Sequence, residues 1–194
     1  MGMGITGCTP THAPLPSVTT PSSAEKLSMY EKNLDKEWEA LLADFPDATR
    51  PEVDLVRFVS LEDWPLAYSE CLTERGFPAT VSEDGGVGTQ VRAGQEQAAA
   101  MARYECGAEY PTDPKYTVPL NDSQLEYIYA YFTGELMTCL TDKGIAVENV
   151  PSLQTFQEEY YTEKGWTPYS SIDPGARDNM MQDCPETPSG IYGE

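Results

Sequence analysis

Five cysteines carry the plainest chemistry in this chain. Four sit in a duplicated frame, Cys71-Leu72-Thr73-Glu74-Arg75-Gly76-Phe77 and Cys139-Leu140-Thr141-Asp142-Lys143-Gly144-Ile145, each followed by one later cysteine, Cys106 and Cys184. A duplicated unit most simply repeats its own crosslink, so the expected disulfides are Cys71–Cys106 and Cys139–Cys184. Crosslinks of this span contribute roughly 3–4 kcal/mol each in the chain-entropy account and need an oxidising compartment. The other reactive groups form no catalytic set. The single histidine, His12, lies in the N-terminal tail, which leaves Ser-His-Asp and Cys-His arrangements without a base. No Cys pair has zinc spacing and no segment has the Asp-x-Asp-x-Asp-Gly pattern of a calcium loop, so no metal or other cofactor is expected. Ser23-Ala24-Glu25-Lys26 matches S-x-x-K but lacks its K-T-G and S-D-N partners. Gly85-Gly86-Val87-Gly88 lacks the ending of a phosphate loop. Glu159 and Glu163, one helical turn apart, read as a solvated face rather than a glycosidase pair. What remains is aromatic: Tyr127, Tyr131, Tyr160, Tyr161, Trp166 and Tyr169, beside carboxylates, form a candidate platform for sugars or a basic peptide, unless the N-terminal helix covers them.

Helices must position these groups. Ser22 followed by Glu25 reads as a capping box, and Leu27, Tyr30, Leu34, Trp38, Leu41 and Phe45 recur at spacings of three and four, so a helix over 23–45 ends at Pro46. The apolar, β-branched run Val53 to Val59 predicts a strand buried on both faces. Leu61 to Arg75 reads as a helix stopped by Gly76, with a basic residue in its last turn and Phe77 folding back. The same stop recurs at Lys143-Gly144-Ile145 and at Lys164-Gly165-Trp166. Glu83-Asp84-Gly85-Gly86 is a hairpin turn between two extended runs, and Gln95 to Glu105 a helix that delivers Cys106. In the second half, Leu125, Ile128, Phe132, Leu136 and Leu140 form the buried face of one long helix from Asn121 or Asp122 to Gly144. Pro151-Ser152 starts a helix carrying Phe156 and Tyr160, and a last short helix brings Cys184. The expected fold is α+β: a mostly helical single domain of two pseudo-repeated halves, with a small antiparallel sheet and two disulfides. Residues 1–22 read as a lipobox remnant and flexible Pro/Ser/Thr tether; residues 23–194 read as one globular domain, with halves at 51–119 and 120–188.

The net charge is −20, which repels nucleic acid and excludes direct DNA or RNA binding as the expected role. Solubility accounts for the acidity; capture of a cationic partner is the sharper alternative. No stretch approaches the ~20 apolar residues of a membrane span. Near the N-terminus, Ile5-Thr6-Gly7-Cys8 resembles a bacterial lipobox, in which the cysteine is acylated. Met1-Gly2-Met3-Gly4 supplies neither the basic region nor the apolar region of an export signal. Either the true start lies upstream, or Cys8 is an incidental thiol; the Pro/Ser/Thr-rich stretch that follows favours the first.

Trp64-x3-Tyr68-x2-Cys71-Leu72-x3-Gly76-Phe77, Asp84-Gly85-Gly86, Gln97, Tyr104-x-Cys106 and Tyr110-Pro111 resemble a group of small secreted or lipid-anchored actinobacterial proteins. The likeness continues through Pro119-Leu120, Gln124-Leu125, Cys139-Leu140, Pro151-Ser152, Phe156, Trp166-x-Pro168-Tyr169 and Cys184-Pro185. It supports export and the disulfide pattern and implies no catalytic residue; with the lipobox-like string, the expected form is lipid-anchored through Cys8 on the extracellular face of the cell membrane, or secreted. The sequence thus points to a non-enzymatic envelope binding or interaction protein. Its expected partners are the membrane, through the anchor, and an envelope protein or glycan. The alternative is a cell-wall-directed hydrolase using carboxylate acid/base residues.

Overall fold

Ser22 opens the first element of the computed structural model, which describes residues 14–193; Cys8 and His12 lie outside that range. Ser22 Oγ accepts from the Glu25 amide, and Glu25 Oε2 accepts from the Ser22 amide at 2.8 Å. The Ser22 hydroxyl also donates to Glu25 Oε2 at 2.6 Å, and this bond first, then that from the Ser22 amide, holds Glu25 below its ordinary carboxylate pKa. Helix α1 (Ser23–Asp44) follows, and the chain leaves it at Phe45, ahead of Pro46. Then come α2 (Trp64–Glu74), β1 (Ala79–Val81), β2 (Val87–Thr89), α3 (Glu96–Glu109), α4 (Asp122–Tyr131), α5 (Met137–Asp142), α6 (Leu153–Glu159) and α7 (Pro174–Asp183). Short 3₁₀ turns lie at Pro114–Tyr116 and Pro168–Ser171. The architecture is mostly helical α+β, with a two-stranded antiparallel sheet and two disulfides, Cys71–Cys106 and Cys139–Cys184, spanning 35 and 45 positions. Among the described residues, no helix is long and apolar enough to cross a membrane.

The chain divides into two compact units. In the unit of residues 21–118, α2 and α3 are crosslinked by Cys71–Cys106 and bury Leu72, Phe77, Ala99 and Ala102 around that bond. The hairpin sets Ala79 opposite Thr89 and Val81 opposite Val87, its turn closed by Ser82 N–H donating to Gly86 O at 2.8 Å. Tyr30 and Trp38 are buried on α1. Tyr30 Oη donates to Ala108 O at 2.9 Å, and Trp38 meets Tyr104 edge-on at 5.2 Å between ring centroids. In the other unit, residues 119–193 with the described segment 14–20, Leu125, Ile128, Phe132, Leu136, Leu140 and Phe156 form the core around Cys139–Cys184.

Several expectations need correction. The run Val53 to Val59 is no strand. Only Val59 forms a bridge, to Thr112, and Val56 is exposed, because the amides of Val56 and Arg57 are taken up by Glu109 O at the end of α3 rather than by a neighbouring strand. Residues 14–20 differ from a free tether. Leu15 packs against the apolar core of their unit, Thr19 N–H donates to Ser123 Oγ at 2.9 Å, and Asn121 Nδ2 donates to Thr19 O at 2.8 Å. Leu27, on the α1 stripe, is exposed. α3 runs on to Glu109, so Cys106 sits inside its last turn rather than beyond it.

The expected helix from Asp122 to Gly144 is interrupted by a π turn at Phe132–Leu136 between α4 and α5. Leu140 follows Ile128 by a distance over which a uniform α-helix would swing the side chain by ~120°, and the extra residue of the π turn reduces that to ~20°. Ile128, Phe132, Leu136 and Leu140 are all buried as a result. The stops at Gly76 and Gly144 are Schellman caps: φ is +85° and +81°, the Phe77 amide donates to Leu72 O at 2.9 Å, and the Ile145 amide donates to Leu140 O at 3.0 Å. The third, at Gly165, ends no helix, since α6 has already ended at Glu159. There a Cβ would meet Tyr160 O at 2.9 Å, so the glycine answers to a close backbone approach.

Candidate functional site: an aromatic groove beside α1

Three helices of the unit of residues 21–118 wall a groove of about 830 Å³. Trp64 and Tyr68, one turn apart on α2, stack on each other with centroids 4.7 Å apart and planes 18° apart, and both remain half-buried. α3 contributes Ala100 and Gly107, which keep its surface low, and between them Arg103 and Tyr104. α1 contributes Asn33 and Glu37, also one turn apart; Asn33 Nδ2 donates to Glu37 Oε1 at 2.7 Å. A Cβ on Gly107 would lie 3.6 Å from Glu37 Oε2, an ordinary contact distance, so the Glu37 carboxyl lies directly against this part of the α3 wall.

The electrostatics follow from that packing. Glu37 is exposed as a residue, yet its carboxyl group stands among dense neighbours. Burial of that group pushes its pKa above the ordinary carboxylate value, and the Asn33 hydrogen bond opposes the shift only in part. Among the described residues it is the carboxylate raised in this way. Burial likewise raises the Tyr68 phenol; the Arg103 charge lowers it and the Glu37 charge raises it. Tyr68 Oη donates to Arg103 O at 3.4 Å, and Arg103 Nη2 donates to Thr89 Oγ1 at 2.8 Å. Behind the groove, Arg50 ties α1 to α3: Nη1 pairs with Asp35 at 2.7 Å and Nε donates to Tyr104 Oη at 2.8 Å. Lys26 of the S-x-x-K string pairs with Asp113 at 2.6 Å, a structural role rather than that of a base near Ser23.

The aromatic residues singled out in the sequence fare differently. Tyr131 and Tyr169 are core, at 8% and 1% exposure. Tyr131 Oη donates to Pro185 O at 2.7 Å, Tyr169 Oη donates to Cys184 O, and Tyr127 Oη donates to Ser189 O at 2.6 Å. The cover over these tyrosines is therefore the C-terminal segment of their own unit, which supplies carbonyls that the phenols need. Tyr160 and Trp166 are half-buried beside a smaller cavity of that unit, and Tyr161 is exposed at 61%, its Oη accepting from the Leu120 amide at 2.6 Å. In the sequence, the Trp64–Tyr68 pair stands four apart within the helical run Leu61 to Arg75, and that spacing was the available signal. Nothing in the sequence joined it to Glu37.

Comparison of the chain with protein-family profiles, with curated proteins and with solved structures gives no match. Among the described residues, no group of three or more His, Cys, Asp or Glu side chains is placed to hold a metal ion.

Proposed function

We propose that the protein is an exported binding module, held at the outer face of a cell membrane through acylated Cys8, whose groove takes a glycan segment of the envelope. One observation carries this reading: the stacked Trp64–Tyr68 pair opens onto the same groove as Asn33, Glu37 and Arg103. Sugar rings present flat C–H faces that pack on aromatic rings and hydroxyls that need planar donors and acceptors, and the groove offers both kinds of group. Its volume lies in the usual range for ligand sites. The two disulfides support an oxidising compartment.

Co-sedimentation of the full chain with purified envelope polysaccharide tests the groove. Wild-type protein should pellet with the polymer, and Tyr68→Ala and Glu37→Gln should each cut retention several-fold while keeping the wild-type circular dichroism spectrum. Retention that neither change affects rules out this groove. Release of reducing ends from the polymer, abolished by Glu37→Gln, would instead establish the hydrolase alternative. The anchor is tested separately: expressed from its upstream reading frame, the protein should partition into detergent, and Cys8→Ser should release it or block its processing.

A further inference from the structure

The unit crosslinked by Cys139–Cys184 contains a cavity of about 460 Å³ that the glycan reading does not use. Four rings line it: Phe132 from the π turn, Tyr160 just beyond α6, Trp166, and Tyr192. The indole is held in place, with Nε1 donating to Glu148 O at 3.3 Å and its ring edge-on to Phe132 at 6.2 Å between centroids. Glu186 joins the same wall. Both hydrogen bonds it receives fall on Oε1, from Thr167 Oγ1 at 2.5 Å and from Arg177 Nη2 at 3.4 Å. Oε2 receives none from the described residues. Arg177 offsets the carboxylate only in part, because its bond is long and its guanidinium is drawn over the Tyr169 ring, 5.5 Å from the centroid.

A carboxylate whose Oε2 takes no hydrogen bond from the described residues, on the wall of a cavity that four rings also line, is arranged for a cation. Aromatic faces attract cations through their quadrupole, tryptophan most strongly, and the attraction grows as water is excluded. The kind of cation follows from the donors it would bring. A primary ammonium carries three N–H groups and a tight hydration shell, and besides Glu186 and the tyrosine hydroxyls the side-chain acceptors in the wall are the hydroxyls of Thr162, Thr167 and Thr187, the first two already engaged with Glu159 O and Glu186. A quaternary nitrogen has no N–H to satisfy and leaves water at lower cost. The net charge of −20 raises the local concentration of any cation before it docks.

The geometry points to a receptor site for a small quaternary ammonium compound, its cation against the Trp166 and Tyr160 rings with Glu186 Oε2 as counter-charge. This site is independent of the groove beside α1, and its fate does not decide that reading. Isothermal titration of the full chain with choline, with tetramethylammonium and with 3,3-dimethylbutan-1-ol, the neutral carbon isostere of choline, tests it. Choline should bind at least tenfold more tightly than the isostere, and Glu186→Gln, which keeps an acceptor for Thr167, should remove about tenfold of that affinity. On the unaltered protein, transferred NOEs should run from the choline methyl protons to an indole ring, and Trp166→Leu should abolish them. Equal binding of choline and isostere, unchanged choline affinity in Glu186→Gln, or no binding of either cation overturns the assignment.

Discussion

Glu37 shows how packing between two helices sets the chemistry of one side chain. Its carboxyl lies against α3 at Gly107, and burial raises its pKa above the ordinary value. The sign of the stability effect follows. Below the ordinary carboxylate range both folded and unfolded chains hold the proton, and the favourable contribution is fully present. As pH rises through the raised folded pKa, the folded state must ionise a crowded carboxyl that the unfolded chain ionises freely, and that contribution is lost. Glu37→Gln should therefore be more stable than wild type at pH 7, with the difference vanishing below roughly pH 4, as read by urea denaturation at the two pH values. A gain in stability joined to a loss of polysaccharide retention would place Glu37 at a site strained for binding rather than for folding. At this scale the sequence displayed the residue and hid its setting, since no local pattern relates position 37 to position 107.

At the scale of elements, the repeat carries a second clamp beside each disulfide. Arg75, four residues after Cys71, pairs with Glu105 at 2.9 Å and Glu109 at 2.7 Å, on either side of Cys106. Lys143, four residues after Cys139, pairs with Asp183 at 2.6 Å, next to Cys184. The basic residue before each glycine thus reaches across to the partner helix, beyond the local dipole role that its sequence position implies. Arg75 and its acids are largely shielded, whereas Lys143 and Asp183 are solvated. Arg75→Ala should cost about 1–2 kcal/mol in chemical denaturation, and Lys143→Ala should leave the midpoint within error. The caps make a separate expectation. At Gly76 and Gly144 no atom lies within 4 Å of where a Cβ would stand, so alanine there meets backbone strain alone, about 1 kcal/mol each. At Gly165 the obstruction is backbone oxygen, and alanine should cost more, about 1–3 kcal/mol.

For the whole molecule, each disulfide closes within one unit: Cys71–Cys106 in residues 21–118 and Cys139–Cys184 in residues 119–193. Replacing Cys139 and Cys184 by serine should lower the stability of their own unit by roughly 3–4 kcal/mol. Hydrogen exchange should show protection lost along α4, α5 and α6 and retained in α2 and α3. Uniform loss across both units would mean that they unfold together. The charge of −20 belongs to this scale too. If it serves solubility alone, polysaccharide retention should be insensitive to salt between low and physiological ionic strength; steep weakening would mark a cationic partner.

The sequence by itself determined what depends on neighbours along the chain. Ser22-x-x-Glu25 and Asn121-x-x-Gln124 start helices through reciprocal local bonds, Gly76 and Gly144 stop them through a φ that side chains resist, and Asp84-Gly85-Gly86 turns the hairpin. The duplicated Cys-Leu-Thr string sufficed to pair the cysteines, because related units close related loops. Tertiary structure decided what depends on which surfaces meet. Val53 to Val59 has the composition of a strand, but the carbonyls within its reach lie at the end of α3. Tyr131 and Tyr169 became core because the segment from Cys184 to Ser189 brought them acceptors, and Trp64 and Tyr68 became a platform because Ala100 and Gly107 left room beside them. A periodicity fixes the side of a helix a residue occupies, and only packing fixes whether that side meets protein or water.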